Sequence, residues 1–187
     1  RGAVHVCYCF TPMRYVWEQY GEYFGPDRAS PLVRAVATLT TPWLRAWDVA
    51  SANRVDRYVA NSGHVGARIR KRYDKPFEVV YPPVSCGKFA VPEKPGDGGY
   101  YVILGAHAPY KRVDLAIEAF QRMGKRLLVG GAGQDEKKLS RLVRPGGPVE
   151  LVGNVPREKL ASVLGGAKAF VFPGEEDFGI APVGAMA

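Results

Sequence analysis

What the sequence lacks narrows it first. It has three cysteines in 187 residues, Cys7, Cys9 and Cys86, with no Cys-x-x-Cys pair and no Cys/His cluster, which argues against structural zinc. Cys7 and Cys9 share one face of a strand-like run, a spacing poorly suited to pairing with each other. Reduced core thiols in a cytosolic protein are the expectation. No apolar run approaches the roughly 20 residues needed to span a bilayer. There is no initiator methionine and no signal pattern, since Arg1 leads directly into a strand-like segment, so the chain reads as an internal stretch of something longer. Internal repeats and the Gly-x-Gly-x-x-Gly fingerprint are also missing. Disorder is excluded by 47% hydrophobic and 24% charged residues, an ordinary globular composition.

Negative charge is in short supply, and the formal balance is +8. The densest cationic patch is "RIRKRY", Arg68 to Tyr73. It reads as a solvated helix face, with the anionic surface of a membrane as the alternative. No nucleic-acid motif accompanies the charge, and no nucleic-acid partner is expected.

What is present is alternation. Strand-like runs are "VHVCYC" (4–9), "DRYVAN" (56–61), "FEVVY" (77–81), "YYVILG" (100–105), "RLLVG" (126–130), "VELV" (149–152) and "AFVF" (169–172). Helical patterns fall between them. In "VDLAIEAF" the residues Val113, Ala116, Ile117 and Phe120 recur at helical spacing. "HVGARIRKRY" follows Ser62, a capping residue, and "REKLASVLGGA" ends at Gly165–Gly166. Strand–helix–strand order at this spacing predicts α/β structure with parallel sheets and helices on both faces. The composition shifts at "SCGKFAVPEKPGDGG" (85–99), rich in proline, glycine and charge. That places a boundary near residue 85, with part of one α/β unit at 1–85 and most of another at 86–187.

In such sheets ligands bind beyond the carboxyl ends of the strands. Those ends carry "AHAPYKR", with Lys111 and Arg112 at the mouth of a helix; "GAGQD", with Gly131 and Gly133; "NVPRE"; and "GEEDFGIAP". Cations and helix N-termini suit a diphosphate. Carboxylates suit neutral hydroxyls and would repel phosphate. Glu175, Glu176 and Asp177 precede a predicted helix whose first turn holds Gly179, Ile180, Ala181 and Pro182, a position where proline costs no hydrogen bond. Each feature alone also has a bland reading as a cap, a turn or surface charge. Their placement at consecutive strand ends is what points to a site.

These segments resemble a known family. "YYVILGAHAPYKRVDLAIEAF", "LLVGGAGQDEKKL" and "VELVGNVPREKLASVLGGAKAFVFPGEEDFGIAPVGAMA" are similar to the nucleotide-sugar-binding domain of GT-B-fold glycosyltransferases of family 4 (group 1), a retaining, metal-independent group. "VDRYVANSGHVGARIRKRYDKPFEVVYPPV" and "HVCYCFTPMRYVWEQYGEYFG" resemble the acceptor-side domain of its bacterial mannosyltransferase-like members. The resemblance implies Rossmann-like units of a GT-B architecture, both incomplete here. It implies hexose transfer from a nucleotide-diphosphate sugar, GDP-mannose by the likeness of "YCFTPMRYVWE", to a lipid-linked or saccharide acceptor. No cofactor or metal is implied, and the setting is cytoplasmic with peripheral contact at the inner membrane face.

Carried over by position, Lys111 binds the donor diphosphate beside Gly105, with Arg112 nearby. Gly131 and Gly133 line the nucleotide, and Asn154 and Val155 flank the base. Glu176 holds the sugar hydroxyls, so Glu176 and Lys111 are the catalytic pair. Phe178, Gly179 and Ile180 present backbone donors as the leaving group departs. Tyr15, Trp17 and Glu18 are acceptor-contact candidates, with a core role open for Tyr15 and Trp17. Three positions depart from the family pattern: Ala106 where arginine is usual, Phe10 where histidine is frequent, and Gly184 where a second glutamate grips the ribose. Weak or absent turnover is therefore expected, and two other readings stand beside transfer. One is a nucleotide-sugar epimerase on the same scaffold; the other is a degenerate sugar-nucleotide-binding or scaffold protein.

Overall fold

The computed structural model describes residues 2–88, 93 and 95–187. The chain divides into two compact units, Arg1–Pro83 and Val84–Ala187. Part of the "SCGKFAVPEKPGDGG" segment, residues 89–92 and 94, lies outside the described residues.

The first unit runs β1 (Val6–Cys9), α1 (Arg14–Trp17), α2 (Tyr20–Phe24), α3 (Pro31–Ala52), β2 (Arg57–Ala60), α4 (Gly63–Tyr73) and β3 (Phe77–Val79). Its strands form a parallel sheet in the order β1-β2-β3. Ser62 caps α4 as the sequence predicts, its hydroxyl accepting from the Val65 amide at 3.1 Å. Val65 and Ile69 then drop into a core with Tyr58, Ala60 and Cys9.

Two expectations fail, one in this unit and one at Cys86, at the start of the next. The basic patch is not a uniformly solvated face: Arg68 is buried and bonds the Thr11 hydroxyl at 3.3 Å, and Arg72 pairs with Glu18 at 2.7 Å. A helix returns to the same face every three to four residues, so two of the patch's four cations turn inward while Arg70 and Lys71 stay exposed. Of the cysteines, Cys9 is buried and Cys7 half-buried, but Cys86 is exposed in a short 3-10 turn.

Helix α3, 22 residues long, has no counterpart in the sequence reading. Ser30 caps it and Pro31 opens it. Its inward stripe is Ala37, Thr41, Asp48 and Ala52, while Leu39 (80% exposed) and Trp43 (67%) face outward. Asp48 is buried and accepts from Trp17 Nε1 at 2.8 Å and from the Tyr73 hydroxyl at 2.9 Å. Guanidinium groups of Arg45 and Arg72 lie 5.1 and 4.7 Å from the Trp17 ring centre. Trp17 is thus a packing residue of this unit. No helix among the described residues is long and apolar enough to cross a membrane.

The second unit runs β4 (Tyr100–Leu104), α5 (Val113–Met123), β5 (Leu127–Gly130), α6 (Glu136–Leu142), β6 (Val149–Gly153), α7 (Leu160–Gly166), β7 (Ala167–Phe170) and α8 (Ile180–Met186). All four strands are parallel, in the order β6-β5-β4-β7. The chain therefore winds outward from β4 to β6, then returns to add β7 on the other side of β4. The predicted apolar stripe of α5, Val113, Ala116, Ile117 and Phe120, is buried against Ile103, Leu127, Val129 and Val149. Each of the larger side chains contributes roughly 1.5–3 kcal/mol by leaving water. Strand β7 starts two residues before the predicted run, so Val171 and Phe172 lie beyond it. The turn at 95–98 belongs to this unit, because Gly96 and Gly98 donate to the carbonyls of Gly165 and Gly166.

Candidate functional site

Between β4 and β7 the winding direction of the second sheet reverses. That is where loops on the two sides diverge and leave room for a ligand beyond the strand ends. The loop after β4 carries Lys111, and the loop after β7 carries Glu176. Across 65 residues of sequence, their side chains meet in an ion pair at this reversal point. Lys111 Nζ also lies 5.3 and 5.4 Å from the ring centres of Tyr110 and Phe172.

Gly174 makes that meeting possible. A Cβ there would stand 2.6 Å from Lys111 Cα and 2.7 Å from the Tyr110 carbonyl oxygen. Only a residue without a side chain lets the loop after β7 lie on the Tyr110–Lys111 backbone. Two residues later Glu176 reaches the ammonium. The three neighbouring acids part company: Glu175 is exposed, Glu176 half-buried on Lys111, and Asp177 buried. Gly179 is the cap of α8 at φ 83°, not part of its first turn, and Ile180 starts the helix. This is a conformation that favours glycine.

In the same sheet, the ends of β4, β5 and β6 line an open pocket of about 320 Å³. Its walls are Leu104, Gly105, Ala106, Gly130, Gly131, Ala132, Asn154, Val155 and Leu160. Four of the expected donor-binding residues, Gly105, Gly131, Asn154 and Val155, are therefore together. Gly133, Phe178, Gly179 and Ile180 are not in this wall. The two glycine loops touch through their backbones, Gly105 N donating to Gly130 O at 3.1 Å and His107 N to Ala132 O at 2.9 Å. A Cβ on Gly131 would fall 1.9 Å from Gly105 O.

Arg112, expected as a second cation for phosphate, is turned to Asp114 at 3.3 Å, and Lys138 reaches the same carboxylate at 3.1 Å. Burial works against the Asp114 charge, but the hydrogen bonds and charges of Lys138 and Arg112 outweigh it and hold its carboxyl below the usual range. Of the acceptor candidates in the first unit, Glu18 is engaged by Arg72, and Tyr15 is exposed with its ring edge-on to Tyr23. Among the departing positions, Ala106 lines the pocket, Gly184 sits half-buried on α8, and Phe10 is exposed. Gly174 and His107 escaped the sequence reading. For His107 the available signal was a lone imidazole in a run of glycine, alanine and proline.

A parallel sheet wound in both directions from β4, with helices between its strands, defines a Rossmann-like unit. The glycosyl transferases group 1 family model matches residues 88–187, more than half of the chain, and the chain belongs to that family. Solved structures agree on the fold. TarM of S. aureus superposes with a TM-score of 0.64 at 17% identity, over 75% of this chain and 30% of that one; a TarM mutant is described in complex with Fondaparinux, alpha-GlcNAc-glycerol and UDP. WaaG, a glycosyltransferase involved in lipopolysaccharide biosynthesis, also superposes at 0.64 and 17% identity, over 99% of this chain and 57% of its own. The two units are thus Rossmann-like units of the GT-B type, and the chain spans 30% to 57% of these relatives' length. A search of curated proteins returns no match.

Proposed function

We propose that this chain is the donor-binding part, with a portion of the acceptor side, of a retaining, metal-independent hexosyltransferase of family 4. The observation that carries the reading is the Lys111–Glu176 pair at the sheet's reversal point, together with a glycine-walled pocket at neighbouring strand ends of the same sheet. In this reading the nucleoside occupies the pocket between Gly105, Gly131, Asn154 and Val155. Lys111 turns from Glu176 to the diphosphate, which frees the carboxylate for hydroxyls of the transferred sugar. Amides at Phe178, Gly179 and Ile180 stabilise the leaving diphosphate. Residues 86–187 hold the donor, and 1–85 offer Tyr15 and Glu18 to a lipid-linked or saccharide acceptor at the cytoplasmic face of a membrane. In this reading the donor is GDP-mannose, on the likeness of "YCFTPMRYVWE" alone.

A fragment reading belongs to the same proposal. It is supported by the 57% and 30% coverage of WaaG and TarM, and by Leu39 and Trp43, which stand in solvent on α3. Such a helix is normally covered by protein. Ala106 and Gly184 favour one second reading, a sugar-nucleotide-binding protein without turnover, because the first leaves the pocket wall without a charged side chain. Calorimetry with GDP-mannose, UDP-glucose and UDP-GlcNAc, run beside a transfer assay, separates these. Binding with turnover supports transfer, and tight binding without turnover supports the second reading. No binding of any donor refutes both.

A further inference from the structure

His107 has no role in the assignment above, yet its environment is unusual. Its side chain is buried at 2% exposure, and neither ring nitrogen has a hydrogen-bond partner in the protein. Buried polar atoms are almost always paired, so two orphans on one ring call for an explanation. Its backbone is fully used: the amide donates to Ala132 O, and the carbonyl accepts from Asp135 N at 2.9 Å. His107 thereby ties the β4 loop to the glycine loop after β5. Its ring lies against Gly131, with Nε2 3.4 Å from the place a Cβ would take. Gly131 and Gly105 are pocket wall, and neither puts a side chain between the imidazole and that wall.

We propose that His107 is a proton-linked positioning residue of this pocket, its ring taking up a proton from solvent when a nucleoside diphosphate sugar binds. The inference rests on the proposed donor site, with the nucleoside in this pocket and its diphosphate beside the Gly105 wall. The charged groups facing the ring are Asp135 and Glu136 at the start of α6; Gly105, Gly131, Ala132 and Gly133 contribute none. Desolvation holds the ring below its ordinary value, with Glu136 and Asp135 acting in opposition. At neutral pH the free ring is therefore mostly uncharged. An anion beyond a glycine wall favours the imidazolium, which turns both unpartnered ring nitrogens into donors. The sign follows by linkage: a ring whose pKa rises on binding makes affinity increase as pH falls from 8 towards 5.5.

The test is an NMR titration of the three histidine rings in the whole chain, with and without UDP-glucose or GDP-mannose, whose diphosphates carry no titrating proton in this range. Loss of one signal in His107→Gln assigns it. The expected result is a midpoint below the ordinary value in the free protein that rises by at least about half a unit on saturation. Affinity should then tighten steadily from pH 8 to pH 5.5, approaching about threefold for a half-unit rise only where pH lies well below the free midpoint, and His107→Leu should lose that slope. A midpoint that stays put while the Gly131 amide shifts overturns the inference, as does a pH slope that survives in His107→Leu. If that variant does not fold, the wild-type titration decides. Should neither sugar nucleotide move the Gly131 or Asn154 amides, the pocket reading falls and takes this inference with it.

Discussion

Replacing Gly174 by alanine adds one methyl group where three backbone atoms already stand: Lys111 Cα at 2.6 Å, Tyr110 O at 2.7 Å and Lys111 C at 2.8 Å. Carbon atoms pack at about 3.5–4 Å, so the two segments must separate by about 1 Å. None of the three can rotate away as the tip of a flexible side chain would. Overpacking of this kind costs about 1–3 kcal/mol. The displacement falls on the loop that delivers Glu176 two residues later, so the Lys111–Glu176 pair should open. Urea denaturation should show a lower midpoint with an unchanged slope. Donor titration of the same variant should show weakened binding, and more so than in Glu175→Ala, which alters an exposed neighbour. A Gly174→Ala protein with wild-type midpoint and wild-type donor affinity would refute the claim that this close approach builds the site.

Asp48→Ala removes the shared acceptor of Trp17 and Tyr73 and leaves two half-buried donors without it; a loss of about 1–3 kcal/mol is expected, with a change in tryptophan emission and in the urea midpoint. At alkaline pH the first unit should weaken. The Tyr58 phenol is pushed up to about 12, by burial first and then by charge on Cys7, Cys9 and Asp48. Its contribution is complete below the unfolded value of 10.0 and disappears as pH rises towards about 12. Tyr58→Phe should flatten that limb of a stability–pH curve, though Tyr73, pushed up by burial and by Asp48, will leave part of it. Asp114 gives the opposite sign: its folded carboxyl is lowered, so its stabilisation is present above the unfolded value of 3.8 and disappears as pH falls through the folded one. Asp114→Asn should remove that acid-side slope, and an unchanged slope would contradict the geometry of its pairs with Lys138 and Arg112.

Local pattern decided much of this protein. Runs of apolar residues mark the seven strands of the described residues to within two residues, and period-3.6 spacing marks the buried face of α5, because side-chain direction repeats with the backbone itself. Residue type at the strand ends was legible for the same reason: a cation after β4 and acids after β7 stand out once the strands are placed. α3 was not legible, since Ala37, Thr41 and Asp48 line its inward stripe while Leu39 and Trp43 point outward, the reverse of the usual signal.

Order in sequence says nothing about distance between loops. Only the β6-β5-β4-β7 winding brings Lys111 to Glu176, and only the approach of Gly174 to the Lys111 backbone holds them there. Burial of His107 is likewise a property of two loops pressed together through glycine backbones. The sequence by itself determined where the strands lie and which chemistry sits at their ends, though not the long helix α3. Tertiary packing decided which of those groups touch, because contact between residues 65 apart depends on the space every intervening element occupies.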